Sequence, residues 1–199
     1  EMCIRDSTSS VRYDDNLVVA YRNRDSNEVR DIFIARKVGD NWMNPYPVYK
    51  DNWQIAGCPV NGPMLAINGS NIALAWFTAA NESAQVKVAF SKDIGKTFSN
   101  PIIIDNSMPL GRVDIDWIDN KNVIVSWIKS TETSSNILAK VVHIDDGKGR
   151  DFFVEAIPQG RISGYPQVEV IDKRALFAWT ENNQKTSVAT KWISLNQLR

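Results

Sequence analysis

Ser91-Lys92-Asp93-Ile94-Gly95-Lys96-Thr97-Phe98 follows the pattern Ser-x-Asp-x-Gly-x-Thr-aromatic, and its chemistry is that of a hairpin turn. The preceding Val86–Phe90 alternates as a strand does. Asp93 carries a short acceptor suited to the backbone N–H groups just ahead of it, Gly95 tolerates the positive φ of a reversal, and Phe98 offers a ring to pin the turn to a sheet. Ser91, Asp93, Gly95, Thr97 and Phe98 are therefore assigned structural roles.

Outward from this turn the chain repeats. A small residue followed by an aromatic ends an apolar run four times, at Ala20-Tyr21, Ala75-Trp76, Ser126-Trp127 and Ala178-Trp179, with the aromatics 55, 51 and 52 residues apart. Each run (Leu17–Tyr21, Ile72–Trp76, Val123–Trp127, Leu176–Trp179) follows a turn-forming segment rich in Asp, Asn, Gly and Lys. A further strand follows in each unit, near Ile32–Ala35, Val86–Ala89, Ile137–Ala139 and Val188–Ala189. No stretch keeps a 3.6-residue apolar stripe long enough for a substantial helix. Four strands per roughly fifty residues predicts an all-β propeller, with blades over about 8–56, 57–106, 107–158 and 159–199. An ordinary β-sandwich and a closed four-bladed ring also fit the length, but the regular placement of the small-aromatic pair disfavours the sandwich.

The first seven residues, Glu1-Met2-Cys3-Ile4-Arg5-Asp6-Ser7, resemble the in-frame translation of a transposon mosaic end used in sequencing libraries and are set aside as non-native. The remaining segment then starts near Thr8, inside a strand, and reads as part of a truncated gene product. Setting Cys3 aside leaves Cys58 alone, which neither forms an internal disulfide nor reports a redox compartment. Hydrophobic residues make up 43% of the chain and it holds seven tryptophans, enough to fill a core. Lys+Arg (23) equals Asp+Glu (23), so no global field attracts nucleic acid or anionic membrane. No apolar run approaches a membrane span, and neither a phosphate-binding glycine loop nor a Cys/His metal spacing occurs, so no cofactor and no metal are expected. His143, the one histidine, sits in a strand-like run and is assigned a structural role.

Propeller geometry turns the repeat into a map of faces. Strands within a blade alternate in direction, so the first and third turns emerge on one face, while the second loops and the blade-to-blade connections emerge on the other. The octet belongs to the first face. The long segments belong to the second: 22–30, 78–85, 129–136 and 180–186 within blades, and 49–61, 106–112 and 158–165 between them. Long loops on a rigid scaffold are where function concentrates. They hold Arg22, Arg24, Glu28 and Arg30 in one loop, Trp53, Cys58 and Asn61 in the next, and Arg112 and Arg161 just before innermost strands. Converging guanidinium groups would clamp a carboxylate, although each arginine alone is as readily read as solvated or structurally paired. Arg22, Arg24, Arg30, Trp53, Asn61, Arg112, Arg161 and Tyr165 are the candidate ligand residues. Arg112, Asp114 and Asp116 alternate with Val113, Ile115 and Trp117 and share one side of a strand, either locking adjacent blades or serving a pocket. Glu28, Tyr165 and Glu181 remain as acid, base or nucleophile candidates, none marked by context.

The octet resembles the Asp box of sialidases and other BNR-repeat β-propellers. The segments Tyr21–Asp25, Gly57–Pro63, Ala75–Ala80 and Pro109–Asp114 look like the C-terminal portion of bacterial sialidase-like members of that group. The resemblance implies a six-bladed, exported parent, extracellular or periplasmic, with about two blades beyond these four. It also implies that an outer strand of the last blade, indistinct after Trp192, comes from elsewhere. Exo-sialidases hold a carboxylate with three arginines and use a Tyr–Glu nucleophile pair with an Asp acid/base. Their first arginine lies in a Phe/Tyr-Arg-Ile-Pro-type motif that this sequence lacks, and no residue here maps onto the pair or the acid. Two readings follow: a propeller that recognises a glycan or other anionic ligand without catalysis, or an exo-α-sialidase-type glycoside hydrolase in the full-length parent. The isolated segment is expected to be inactive either way, because an open ring exposes strand edges and lacks part of its site.

Overall fold

The computed structural model describes residues 8–57, 59–160, 164–182 and 185–197. The expectations for the first seven residues, Cys58 and Arg161 lie outside the described residues. Among the described residues sixteen strands form four antiparallel sheets in chain order. The first holds β1 (Thr8–Tyr13), β2 (Asn16–Arg22), β3 (Ile32–Val38), β4 (Asn41–Trp42) and β5 (Tyr46–Pro47). The second holds β6 (Met64–Asn68), β7 (Asn71–Thr78), β8 (Gln85–Ser91) and β9 (Ile102–Asp105). The third holds β10 (Pro109–Trp117), β11 (Asn122–Ser130), β12 (Ser135–His143) and β13 (Asp151–Ile157). The fourth holds β14 (Gln167–Ile171), β15 (Arg174–Asn182) and β16 (Thr186–Ser194). Helical structure among the described residues is confined to the short 3₁₀ turns Ala80–Glu82 and Leu195–Gln197.

Within each sheet strands pair with their sequence neighbours, except β5, which pairs with β3, and the first strands of successive sheets, β1, β6, β10 and β14, adjoin one another. The apolar core is correspondingly divided between consecutive sheets. Val18, Ala20, Ile32 and Ile34 pack against Leu65, Ile72, Leu74 and Trp76. Ala73, Ala75, Phe77, Val86 and Val88 pack with Val113, Ile115, Val125 and Trp127. Ile124, Ile137 and Ala139 pack with Val168, Ala175, Phe177 and Trp179. Sheets stacked face to face around a line of first strands are the blades of a propeller.

This stacking explains the small-aromatic repeat. In β7, β11 and β15 the tryptophan packs against the preceding sheet, and the small residue beside it faces the other way. β7 and β11 are thus buried on both faces, whereas β2 and β15 bury one alternate set and leave the other half-exposed. The strands extend beyond the apolar runs at both ends: Val123–Trp127 lies within a nine-residue strand, and Val188–Ala189 within another. One expected long loop is corrected. The segment 129–136 closes tightly, because Ser130 pairs with Ser135 in the ladder and the Thr131 amide donates to the Ser134 carbonyl at 2.8 Å.

The octet forms the turn between β8 and β9. Ser91 Oγ accepts the Gly95 amide at 2.8 Å, while Asp93 Oδ1 and Oδ2 accept the Thr97 amide and hydroxyl at 2.9 and 2.7 Å. Gly95 has φ +68°, and Phe98 packs on the core between the first two sheets. Tyr46 Oη and Arg36 Nε, from the first sheet, donate to the carbonyls of Gly95 and Ile94. The turn therefore also ties neighbouring sheets.

Candidate functional site

The long-loop face is built on strained backbone. Of nine non-glycine residues with positive φ among those described, six lie there: Glu28, Asn52, Asn81, Glu82, Met108 and Arg112. Such conformations cost about 1–3 kcal/mol each and concentrate at functional sites. β10 enters this face through a double irregularity. Gly111 (φ +81°) and Arg112 (φ +53°) interrupt its register, and a Cβ on Gly111 would lie 2.8 Å from Phe77 and 2.9 Å from Asn61. Glycine is required by that approach.

The candidate residues divide into two groups. Arg22 donates Nε and Nη2 to the Asn61 carbonyl (3.0 and 2.8 Å), Nη2 to Phe77 (2.7 Å) and Nη1 to Arg30 (2.7 Å). Its guanidinium sits 4.8 Å above the ring of buried Trp53, which also meets Phe77 edge-on. Burial pulls the Arg22 pKa down to about 10 against the opposing fields of Asp51 and Asp31. Arg22 and Trp53, two of the expected ligand residues, brace the loops: four of the five N–H groups of Arg22 go to backbone carbonyls, and the Trp53 ring is buried. Arg24 and Arg30 converge on Glu28, with Arg30 at 2.7 Å, and Arg30 also donates to the Gly57 carbonyl. The hydrogen bond from Arg24, with a smaller contribution from Arg30, holds the Glu28 carboxyl below its ordinary range, which unsuits it as a general acid.

The second group surrounds a cavity of about 380 Å³ lined by Val60, Asn61, Leu110, Arg112, Ser130, Ser135, Gln159 and Gly160. Asn61 fixes its inner wall, accepting the Arg112 amide at 2.9 Å and donating to the Leu110 carbonyl at 3.0 Å. Arg112 extends across it, with Nη1 and Nη2 donating to the Gly164 and Gly160 carbonyls (3.0 and 3.2 Å) and the guanidinium 5.5 Å from the Tyr165 ring. Tyr165 Oη donates to the Val60 carbonyl at 2.6 Å, closing a circuit that joins the second, third and fourth sheets. Gln159 Nε2 donates to the Thr131 carbonyl and so fixes the turn beside Ser130 and Ser135. Val60 and Leu110 supply an apolar edge. The arrangement presents one half-exposed cation, hydroxyl and amide groups, and a hydrophobic lip. Glu181 lies within β15, on the strand rather than on this wall.

Asp114 and Asp116 serve as inter-sheet acceptors. Their Oδ2 atoms take the Val168 and Val170 amides of β14 at 2.7 and 2.6 Å, and their Oδ1 atoms take the next amide along β10. Burial raises Asp114 to about 7, against the lowering effect of those hydrogen bonds. His143 is the last residue of β12, and its Nδ1 is 3.5 Å from Asp146 Oδ1 in the turn that follows. Among the described residues no group of three or more His, Cys, Asp or Glu side chains forms a metal-holding cluster, and no helix is long and apolar enough to cross a membrane.

Sequence reasoning missed two buried carboxylates. Trp76 Nε1 donates to Asp51 Oδ2 and Trp127 Nε1 to Asp105 Oδ2, each at 2.8 Å, and Lys87 reaches Asp51 at 2.6 Å. A signal was present: Asp-Asn-x₄-Gly occurs at Asp51–Gly57 and again at Asp105–Gly111.

No protein-family model and no curated protein matches the sequence. Solved structures do. The Hadza microbial sialidase Hz136 matches with a TM-score of 0.57 at 18% identity, over 95% of this chain and 46% of that one. A thermostable family-43 glycoside hydrolase matches at 0.61 and 13% identity, over 98% and 70%. A xylan β-1,4-xylosidase from Bacillus halodurans matches at 0.56 and 12%, over 95% and 40%. The chain spans less than half the length of that sialidase. At these identities the likeness is one of fold, and the chain carries the propeller architecture shared with these glycoside hydrolases.

Proposed function

We propose that the long-loop face belongs to a glycan-recognising propeller, with the Arg112 cavity holding an acidic group of the sugar. The observation that supports this most directly is the pose of Arg112. Two backbone carbonyls fix its guanidinium at the mouth of a cavity that also offers Asn61, Ser130, Ser135 and Gln159. A pre-organised guanidinium suits a carboxylate, and neighbouring hydroxyl and amide groups suit sugar hydroxyls. The solved structures that share the fold, a sialidase and family-43 hydrolases, support a carbohydrate ligand over other anions. They also favour an exported parent. A three-arginine clamp would need Arg161 and another partner, because Arg22 is committed to carbonyls and Arg24 and Arg30 to Glu28.

Binding without catalysis is the primary reading, since the Tyr165 hydroxyl beside Arg112 donates to the Val60 carbonyl and no carboxylate is among the described residues that line the cavity. A sialidase-type hydrolase remains the second reading for the full-length parent, favoured by the match to a sialidase. Calorimetric titration with N-acetylneuraminic acid, glucuronic acid and neutral galactose tests the proposal. Saturable binding of an acidic sugar, weakened at least tenfold by Arg112→Ala while the melting curve stays cooperative, supports it. Equal binding of galactose, or no loss in the variant, overturns it. Release of sugar from a sialoside by the full-length protein would replace the first reading with the second.

A further inference from the structure

The third sheet breaks its own apolar pattern where it reaches the Arg112 cavity. Strand alternation puts Ile124, Ser126, Ile128 and Ser130 of β11 on one face with Ala139, Ile137 and Ser135 of β12. Ile124, Ile128, Ile137 and Ala139 pack there with Val168, Ala175 and Phe177 of the fourth sheet. Ile128 opposite Ile137 is the last apolar rung of this face, and Ser130 opposite Ser135 is the next one toward the loops. Ser135 also pairs with Ile157 of β13, and at 3% exposure it is as enclosed as that isoleucine. Position and burial therefore call for an apolar side chain, and the sequence supplies a hydroxyl.

That hydroxyl makes no hydrogen bond to any described residue. Ser91, buried to the same degree, holds the Gly95 amide and the Asp93 carboxylate with its own. Ser130, across the ladder, turns to the Thr131 carbonyl at 3.4 Å. The turn that presents Ser135 is fixed without it. Thr131 Oγ1 accepts the Ser134 amide at 3.0 Å and donates to the Ser134 carbonyl at 2.9 Å, and Gln159 Nε2 donates to the Thr131 carbonyl at 2.8 Å. A buried hydroxyl with no protein partner is uncommon and costs stability. Ser126 Oγ is unpaired too, but it lies within the sheet between Asp114 and Ala139, whereas Ser135 lines a cavity of about 380 Å³.

We infer that Ser135 is the specificity residue of this cavity, bonding a hydroxyl of the sugar whose acidic group lies against Arg112. This role rests on the reading of the cavity as an acidic-sugar site and adds the requirement that makes it selective. A guanidinium reads charge and accepts any carboxylate of fitting shape. Ser135 both donates and accepts, so a sugar hydroxyl satisfies it, and a ring bearing only C–H groups leaves it unpaired. A site with a buried polar group waiting for a hydroxyl rejects the analogue that lacks one. The cavity, about 380 Å³, is at the small end of the range of about 300–1,000 Å³ usual for ligand pockets, which suits one sugar ring rather than a length of chain.

The test titrates glucuronic acid and cyclohexanecarboxylic acid, a six-membered ring with the same charge and no hydroxyl, by calorimetry. The unaltered full chain is compared with Ser135→Ala, Ser126→Ala and Arg112→Ala, with thermal melting recorded in parallel. The unaltered chain should bind glucuronic acid the more tightly. Ser135→Ala should weaken glucuronic acid about tenfold, leave cyclohexanecarboxylic acid unchanged, and melt no lower, because it removes a hydroxyl that the fold leaves unpaired. Arg112→Ala should weaken both acids to a similar extent, and Ser126→Ala neither. Three results overturn the role of Ser135 while the Arg112→Ala loss still upholds the cavity. These are equal effects of Ser135→Ala on the two acids, an equal loss of glucuronic acid in Ser126→Ala, and a lowered melting temperature in Ser135→Ala, the mark of a structural bond. If neither acid binds the unaltered chain, the acidic-sugar reading falls and the role of Ser135 falls with it.

Discussion

An indole N–H aimed at a buried aspartate is the smallest unit that recurs between these sheets. Trp127 Nε1 reaches Asp105, whereas Trp179 Nε1, equally enclosed, has no acceptor among the described residues. Burial alone would raise Asp105, but the bonds from Ser107 and Trp127 outweigh it and hold that carboxyl below its usual range. Trp127→Phe should therefore cost about 2 kcal/mol more than Trp179→Phe in urea unfolding, because only the first leaves a buried carboxylate short of a donor. The tryptophans were legible as a repeat. Their acceptors were not, since single aspartates are common in polar turns and the partner lies in the next sheet. Asp114 carries a second residue-scale prediction. Its native pKa is raised to about 7 from an ordinary 3.8, so between those values the folded state holds a proton that the unfolded state has lost. Its contribution is complete below about pH 4 and declines as pH rises to about 7, with a slope of at most about 1.4 kcal/mol per unit. Asp114→Asn should flatten that part of the stability profile measured by urea unfolding at successive pH values.

At the scale of the element, the turn between β8 and β9 was the most legible part of the chain, because its chemistry is local. Ser91, Asp93, Gly95 and Thr97 bond to one another within seven residues, so one sequence window contains the whole argument. Gly95 tests it against a control. Gly69 also has positive φ (+58°), but a Cβ there meets nothing within 4 Å, whereas at Gly95 it would lie 3.0 Å from Val18 Cγ1. Gly69→Ala should cost about 1 kcal/mol from the left-handed backbone alone, and Gly95→Ala more, up to about 2 kcal/mol with the turn pressed from the first sheet. Equal melting temperatures for the two variants would contradict this account. Strand ends were less legible. Polar residues such as Asn122, Ser135 and Thr186 extend the ladders through backbone pairing that carries no hydrophobic signature. The partners of the arginine-rich loop were hidden for a related reason. Side-chain type marks Arg22 as a cation, but only the folded geometry aims it at the carbonyls of Asn61, Phe77 and Arg30.

On the scale of the whole molecule, stability is distributed over three sheet-to-sheet interfaces, and the proposed site lies at the rim where their connections meet. Asn61, Arg112 and Tyr165 come from separate connections and are joined by a circuit of hydrogen bonds, so the cavity exists only when the second, third and fourth sheets are stacked. The face that bears it was deducible from strand alternation. The division of its residues into those that brace the loops and those that line the cavity was not, because burial is set by neighbours about 50 residues away in sequence. The most direct test of the central claim is an amide-resolved NMR titration of the chain with N-acetylneuraminic acid. The account predicts saturable shifts concentrated at Asn61, Arg112, Ser130 and Ser135, absent from the turn at Ser91–Phe98 on the opposite face, and lost in Arg112→Ala. Shifts that fall on the turn face, or that survive Arg112→Ala unchanged, would contradict it.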